Sequence, residues 1–555
     1  MPRPTNGGNR NDKRKFEQSV NIVVFLCWRI DFLDNVLYND LIMKIERFLV
    51  MKNKENRPSG NRILRGLGNG LLWIVLFVAF LGFFAASWYV VIYGRIGFDS
   101  VIYTLTGGLN GVSTDLVQKF LVGALLPAFV CSVVTAFLLL RPWRWKRWIS
   151  VTVSLFLSLG LLVHAAFNVE LVDYILNSNR ISGLYESEYR DPNTVNITFP
   201  EEKRNLIYIF MESMETSYLS KDMGGGLDYN LIRELTWLAE ENINFSHNEH
   251  VGGFRQVTGA SWTIGAMVAH TGGVPLKVPD GIEDWQNGYG QDGEFLDGLT
   301  SITSVLDQAG YYQTLMVGSW VVFGGRDTYY NNHGLDRIYD LVSGRQDGIV
   351  PYNYWNGFWG FEDLYLYEYA KQELTQIAEK DQPFSFTMLT VDTHHIGGFT
   401  CELCGSNYEE SYENAIACAS KQVYDFVGWI MQQPFYENTT IVITGDHCSM
   451  DKGYFDRNID KKYERHIYNC FINSAVQPFR TNYRQFCAMD MFPTTLAAMG
   501  CKIEGDRLGL GTNLFSTIPT LMERVGYDRL CLELGQKSEY YENNFYGKKP
   551  EDTTP

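Results

Sequence analysis

The chain has 555 residues, with 47 Lys and Arg against 63 Asp and Glu, a formal net charge of −16, and ten cysteines. That length exceeds what a single compact core normally organises. The acidic balance excludes the positive surface that displaces counterions from nucleic acid, so no nucleic-acid partner is expected.

Residues 1–66 are the exception to that balance: a basic, Gly/Asn-rich segment expected to stay in the cytoplasm. Apolar stretches follow at Leu71–Tyr93, Phe120–Leu140 and Ile149–Phe167. Each approaches the roughly 20 residues that cross a bilayer, so residues 67–168 read as a three-helix transmembrane anchor. Lys52, Lys54, Arg57, Arg62 and Arg65 precede the first stretch, and Arg141, Arg144, Lys146 and Arg147 separate the second from the third. Placing both basic segments inside makes a multi-pass protein of the cell membrane whose chain is extracytoplasmic after about Asn168.

Residues 169–200, from VELVDYIL to DPNTVNITFP, read as a linker. From 201 to 522 short apolar β-rich runs alternate with helical patterns, and the late helix CAMDMFPTTLAAMG closes on Gly500. This alternation predicts an α/β fold, a doubly wound and mostly parallel sheet. After Met522 a polar, Tyr-rich tail (523–555) shows no usable period.

Cys401, Cys404, Cys418, Cys448, Cys470, Cys487, Cys501 and Cys531 all fall in the part expected outside, an even set. Disulfides are the default there. Cys401-Glu-Leu-Cys404 reads as a structural loop disulfide ahead of half a zinc site or a redox motif.

Three of the apolar runs end in polar clusters. NLIYIFMES ends at Glu212, FSFTMLTVDTHH around His394, and TTIVITGDH at Asp446 and His447. In an open parallel sheet the carboxyl ends of the strands line one crevice, so these residues are expected to converge. Glu, His and Asp with a nearby hydroxyl suit a hard-to-borderline divalent metal that activates oxygen. Thr263 opens a helix behind a loop of small residues and is the candidate hydroxyl, with Thr258 and Ser261 as competitors. Glu215 competes with Glu212, and His395 with His394; His466, in RHIYNCFINS, is either a phosphate-reaching or a structural residue.

In order, NLIYIFMESMET, GASWTIGAMVAH, TVDTHHIGGF, TGDHCSMD and DRLGLGTNLFS span about Asn205 to Ser516. Together they make this region resemble the phosphoglycerol transferase branch of the alkaline phosphatase and sulfatase superfamily, which includes lipoteichoic acid synthases. The resemblance implies metal ligation by Glu212, Thr263, Asp446 and His447, with Thr263 as the catalytic nucleophile. It implies substrate binding by His394 and Arg326, although Gly324 stands where those synthases carry a Trp. The implied cofactor is one divalent metal, Mn2+ ahead of Zn2+ and Mg2+. The implied partners are phosphatidylglycerol as donor and a glycan or polymer as acceptor, joined by ping-pong transfer of glycerol phosphate through Thr263. A phosphoethanolamine transferase would keep the same core and change the headgroup pocket. A sulfatase would need C-x-P-x-R or S-x-P-x-R at the nucleophile, which this sequence lacks. An inactive envelope scaffold or receptor would predict an eroded metal cluster, and all four ligand residues are present.

Overall fold

The computed structural model describes residues 60–93, 98, 101, 114–139, 147–178, 180–277, 293–351 and 360–546. The basic segment before residue 60 and the 141–146 stretch therefore lie outside the described residues. The chain divides into two compact units, Met1–Leu72 and Trp73–Pro555. Of the first, only the opening turns of helix α1 (Gly60–Tyr93) are described.

Three helices are long and apolar enough to cross a membrane: Gly66–Tyr93 within α1, Val117–Leu139 within α2, and α3 (Arg147–Asn168). Helix α2 is composite, with Thr114–Phe120, a π turn over Leu121–Leu125, and Leu126–Leu139. Pro127 has no N–H to give and its ring crowds the carbonyl four residues back, so the turn ahead of it widens. The N–H of Leu126 accordingly donates to the Leu121 carbonyl. Packing uses small residues, since lipid offers apolar side chains no reason to pair. The Trp88 ring lies 2.9 Å from where a Cβ on Gly123 would stand, so only glycine lets these helices approach.

The strands β1 (Asn205–Met211), β2 (Gly253–Phe254), β3 (Tyr312–Val317), β4 (Arg337–Tyr339), β5 (Phe384–Leu389), β6 (Thr439–Gly445) and β7 (Ile467–Ile472) form a seven-stranded sheet. Their spatial order is β2-β7-β6-β1-β5-β3-β4. β6, β1, β5, β3 and β4 are mutually parallel, whereas β7 and β2 close one edge antiparallel. The mostly parallel sheet expected from the sequence is present.

Alternation along β1 feeds two cores. Leu206, Tyr208 and Phe210 pack on one face; Ile207, Ile209 and Met211 pack on the other. The helices α4 (Arg233–Glu241), α7 (Asp363–Ile377) and α8 (Ser411–Ile430) cover the second face. The first is covered by α5 (Thr263–Gly272), α6 (Ile302–Gln308) and α9 (Met491–Ala498). Burial on both faces is what the continuous apolar runs require.

Two stretches carry more structure than their sequence shows. Within 169–200, read as a linker, Leu184, Tyr185 and Tyr189 are buried in the first core, and Ile197–Thr198 pairs with Lys502–Ile503. The tail after Met522 forms α10 (Tyr527–Leu534) and α11 (Glu539–Phe545), which bury Leu530, Leu534, Tyr541 and Phe545. Each of these short helices turns only two residues fully inward, four apart, so too little of a period accumulates to stand out in polar sequence.

The expected disulfides are corrected. Cys401, Cys404, Cys418, Cys448, Cys470, Cys487, Cys501 and Cys531 are all free thiols. The sheet separates Cys470, in the second core, from Cys448, Cys487 and Cys501 in the first. Cys401, Cys404 and Cys418 form a cluster of their own.

Candidate active site

Parallel register builds the site. Met211 of β1 stands opposite Gly445 of β6, so the residues that follow, Glu212 and Asp446, emerge side by side. Gly445 is fixed by a close approach: a Cβ there would lie 1.9 Å from the Met214 carbonyl oxygen. Glu212, Asp446 and His447 are each at most 1 % exposed, and their ligand atoms all lie within 4.8 Å of one another.

His447 Nε2 lies 3.6 Å from Glu212 Oε1 and 3.4 Å from Asp446 Oδ2. Its Nδ1 is 2.9 Å from the Cys448 carbonyl, which assigns the proton to Nδ1 and leaves the Nε2 lone pair toward the carboxylates. Thr263, the first residue of α5, brings its Oγ1 to 3.3 Å from His447 Nε2 and 3.5 Å from Glu212 Oε2. Four predicted residues thus meet from two neighbouring strand ends and one helix start.

Ser213 holds this arrangement, and nothing in the sequence marked it. Its backbone φ of 55° turns the chain sharply after Glu212. Its N–H then donates to Asp446 Oδ1 at 2.8 Å and its hydroxyl to Glu212 Oε1 at 2.8 Å. Asp446 Oδ1 also accepts the His447 N–H at 2.7 Å, whereas the buried Oδ2 has no hydrogen-bond partner. A buried carboxylate oxygen without a donor is costly, and its neighbours Glu212 and His447 are themselves metal-type ligands. Burial, then the Asp446 charge, pushes the Glu212 carboxyl up to about 8. Burial opposes protonation of His447, but the Asp446 and Glu212 carboxylates raise its pKa nonetheless. A divalent cation relieves both effects, so the donor set fits one.

The competitors are engaged elsewhere. Glu215 is buried in an ion pair with Arg465, whose Nε donates to Oε2 at 2.8 Å, and it also accepts the Ser449 N–H at 2.9 Å. Thr258 donates its hydroxyl to the Cys531 carbonyl at 3.2 Å. His466 stacks flat on His247 at 3.4 Å, and burial lowers its pKa to about 3.

Arg326, only 1 % exposed, opens the helix Arg326–Asn332 and donates to Ser319 Oγ at 3.0 Å and the Trp320 carbonyl at 2.6 Å. Its charge acts on both Glu212 and His394. Gly324 and Gly325 ahead of it have φ of 72° and 68°, a left-handed pair that disfavours a Trp at 324. His394 sets Nδ1 2.6 Å from the His395 carbonyl, and burial, then His395, hold its pKa well below the usual value. The His395 ring packs edge-on against Tyr93, the last residue of α1, with centroids 5.3 Å apart.

Comparison with known proteins places the chain in a family. The Sulfatase family model matches residues 204–501. A phosphoglycerol transferase I from Escherichia coli O127:H6 is 27% identical over 365 residues, covering 64% of this chain and 45% of that protein. The chain thus spans about half the length of such curated relatives. Among solved structures, an alkaline phosphatase superfamily protein from Vibrio parahaemolyticus is 19% identical with a TM-score of 0.47, covering 64% of this chain and 80% of the other. The lipoteichoic acid synthase LtaP from Listeria monocytogenes is 18% identical with a TM-score of 0.44, covering 58% and 79%.

Proposed function

Because the chain belongs to the sulfatase family, we propose that it is a membrane-anchored phosphoglycerol transferase. It would move glycerol phosphate from phosphatidylglycerol to a hydroxyl of a cell-envelope glycan or polymer, with its catalytic domain on the extracytoplasmic side. The observation that carries this reading is the position of Thr263, whose hydroxyl stands 3.3 Å from His447 Nε2 and 3.5 Å from Glu212 Oε2. The name of the relatives supports the transferred group.

Glu212, Asp446, His447 and the Thr263 oxygen would hold one divalent ion, Mn2+ ahead of Zn2+ and Mg2+; when bound, it supplies Lewis acidity at the hydroxyl and at the phosphate. In the first step a bond forms between Thr263 Oγ and phosphorus, the bond to the diacylglycerol oxygen breaks, and the hydroxyl proton ends on that oxygen. In the second the acceptor hydroxyl oxygen bonds to phosphorus, the bond to Thr263 Oγ breaks, and the acceptor's proton passes to that oxygen. Helix α5 serves both steps. Its N-cap residue, Trp262, supplies no side-chain cap to the first-turn amides, which suit phosphate oxygens. Positive charge comes from Arg326; His394, held neutral, contributes orientation instead. The contact between Tyr93 and His395 supports a site close to where the first apolar helix ends, within reach of lipid headgroups.

The test is headgroup-labelled phosphatidylglycerol supplied without acceptor. A glycerophosphoryl adduct should map to Thr263, and Thr263→Ala should abolish diacylglycerol release. Normal turnover in that variant would sink the nucleophile assignment.

A further inference from the structure

Away from the active site, three cysteines converge on the loop between β5 and α8. Cys401 and Cys404 lie on the loop and Cys418 on α8. Cys401 Sγ is 3.6 Å from Cys404 Sγ and 3.8 Å from Cys418 Sγ, and all three sulfurs lie within 4.8 Å of one another. Each residue is at most 8 % exposed.

We propose that Cys401, Cys404 and Cys418 form a second metal centre, a thiolate site for Zn2+. Spacing comes first. A tetrahedral ion about 2.3 Å from each sulfur sets the sulfurs about 3.8 Å apart. A disulfide needs about 2.05 Å and uses two of the three, leaving one buried thiol beside it.

The surroundings suit thiolate. The Cys401 N–H donates to Cys404 Sγ at 3.2 Å, and Gln422 Nε2 donates to Cys418 Sγ at 3.4 Å. Amide donors aimed at sulfur stabilise the anion that ligates metal and orient it. Gly405, with φ of 66°, turns the chain away directly after Cys404 so that both loop sulfurs face α8. Among the described residues no fourth His, Cys, Asp or Glu joins the group, so water takes the remaining position. Soft sulfur ligands set this centre apart from the oxygen and nitrogen set of Glu212, Asp446 and His447.

The test uses the full chain purified in detergent without reductant. Loaded with Co2+, it should show sulfur-to-cobalt charge-transfer absorption in the near ultraviolet. Asp446→Asn should retain that band; Cys418→Ser should lose it, and Cys404→His should keep bound cobalt with a weaker band. In the wild type, which needs no variant to fold, Zn2+ should slow iodoacetamide alkylation of all three cysteines by about tenfold, and a chelator should restore it. Absence of the band in wild type, alkylation indifferent to Zn2+, or a disulfide from Cys401 to Cys404 or Cys418 by mass spectrometry would each overturn the proposal.

Discussion

At the residue scale, what decides a ligand is whether its carboxylate is already neutralised. Glu212 and Glu215 are three apart, both buried, and alike in sequence. Glu215 has the Arg465 guanidinium, while Glu212 faces a second carboxylate. The two should therefore fail differently. Arg465→Met leaves the Glu215 charge buried and unpaired, and should cost about 3–5 kcal/mol of stability, read from urea unfolding. Glu212→Gln removes a ligand and relieves repulsion, so it should lower metal content in the purified protein with little change in unfolding midpoint. A Glu212→Gln variant that keeps full metal occupancy would remove it from the ligand set. Strand ends made Glu212, Asp446 and His447 readable from sequence, because a polar residue directly after a buried strand has few other reasons to be there. Ser213 was not readable: a positive φ and two short donations leave no periodic trace in the chain.

At the element scale, α5 links the site to the core. Thr263 is its first residue and His270 its last turn, with the ring packed against Phe210 and Phe254 and Nδ1 2.8 Å from the Tyr208 hydroxyl. Burial lowers the His270 pKa from 6.5 to about 3. A depressed pKa gives stability that is present above 6.5 and is lost as pH falls toward 3, because only the unfolded chain takes up the proton. The slope is about 1.4 kcal/mol per pH unit, so acidification from pH 6.5 to pH 5 should cost about 2 kcal/mol through this residue alone. His270→Phe should flatten that part of the profile in denaturant titrations at the two pH values; an unchanged slope would contradict the assignment. Gly265 on the same helix has room for no side chain, since a Cβ would lie 2.8 Å from the Gly259 carbonyl oxygen and 2.9 Å from the Trp262 ring. Gly265→Ala should displace the helix start and reduce diacylglycerol release severalfold while far-ultraviolet circular dichroism stays the same. The parallel strands and long helices were legible because each is a single uninterrupted pattern. The antiparallel edge was not, since β2 spans only Gly253–Phe254 and pairing direction leaves no mark in composition.

At the scale of the whole molecule, the first core is completed by segments from both ends of the described domain. Tyr185 packs edge-on against Tyr541, with centroids 5.5 Å apart, although no sequence pattern joins the two regions. Phe545→Ala should cost about 3–5 kcal/mol, as for other buried aromatic truncations, and deletion from Tyr527 onward should prevent the domain from folding, seen as loss of a cooperative thermal transition. Membrane topology adds a separate expectation. With the basic segments held inside, protease added to spheroplasts should digest the region after Asn168 and spare the Arg141–Arg147 stretch. Protection of the C-terminal region would reverse the orientation.

The separation of the ligands along the chain has a consequence for assembly. Thr263 lies 51 residues beyond Glu212, and Asp446 reaches Ser213 across 233 residues. No nascent fragment ending before β6 contains Asp446 or His447, so none would capture the proposed active-site ion tightly during synthesis. Loading of that site would therefore wait for β6 to dock, and the ion acquired would be drawn from whatever pool surrounds the chain at that moment.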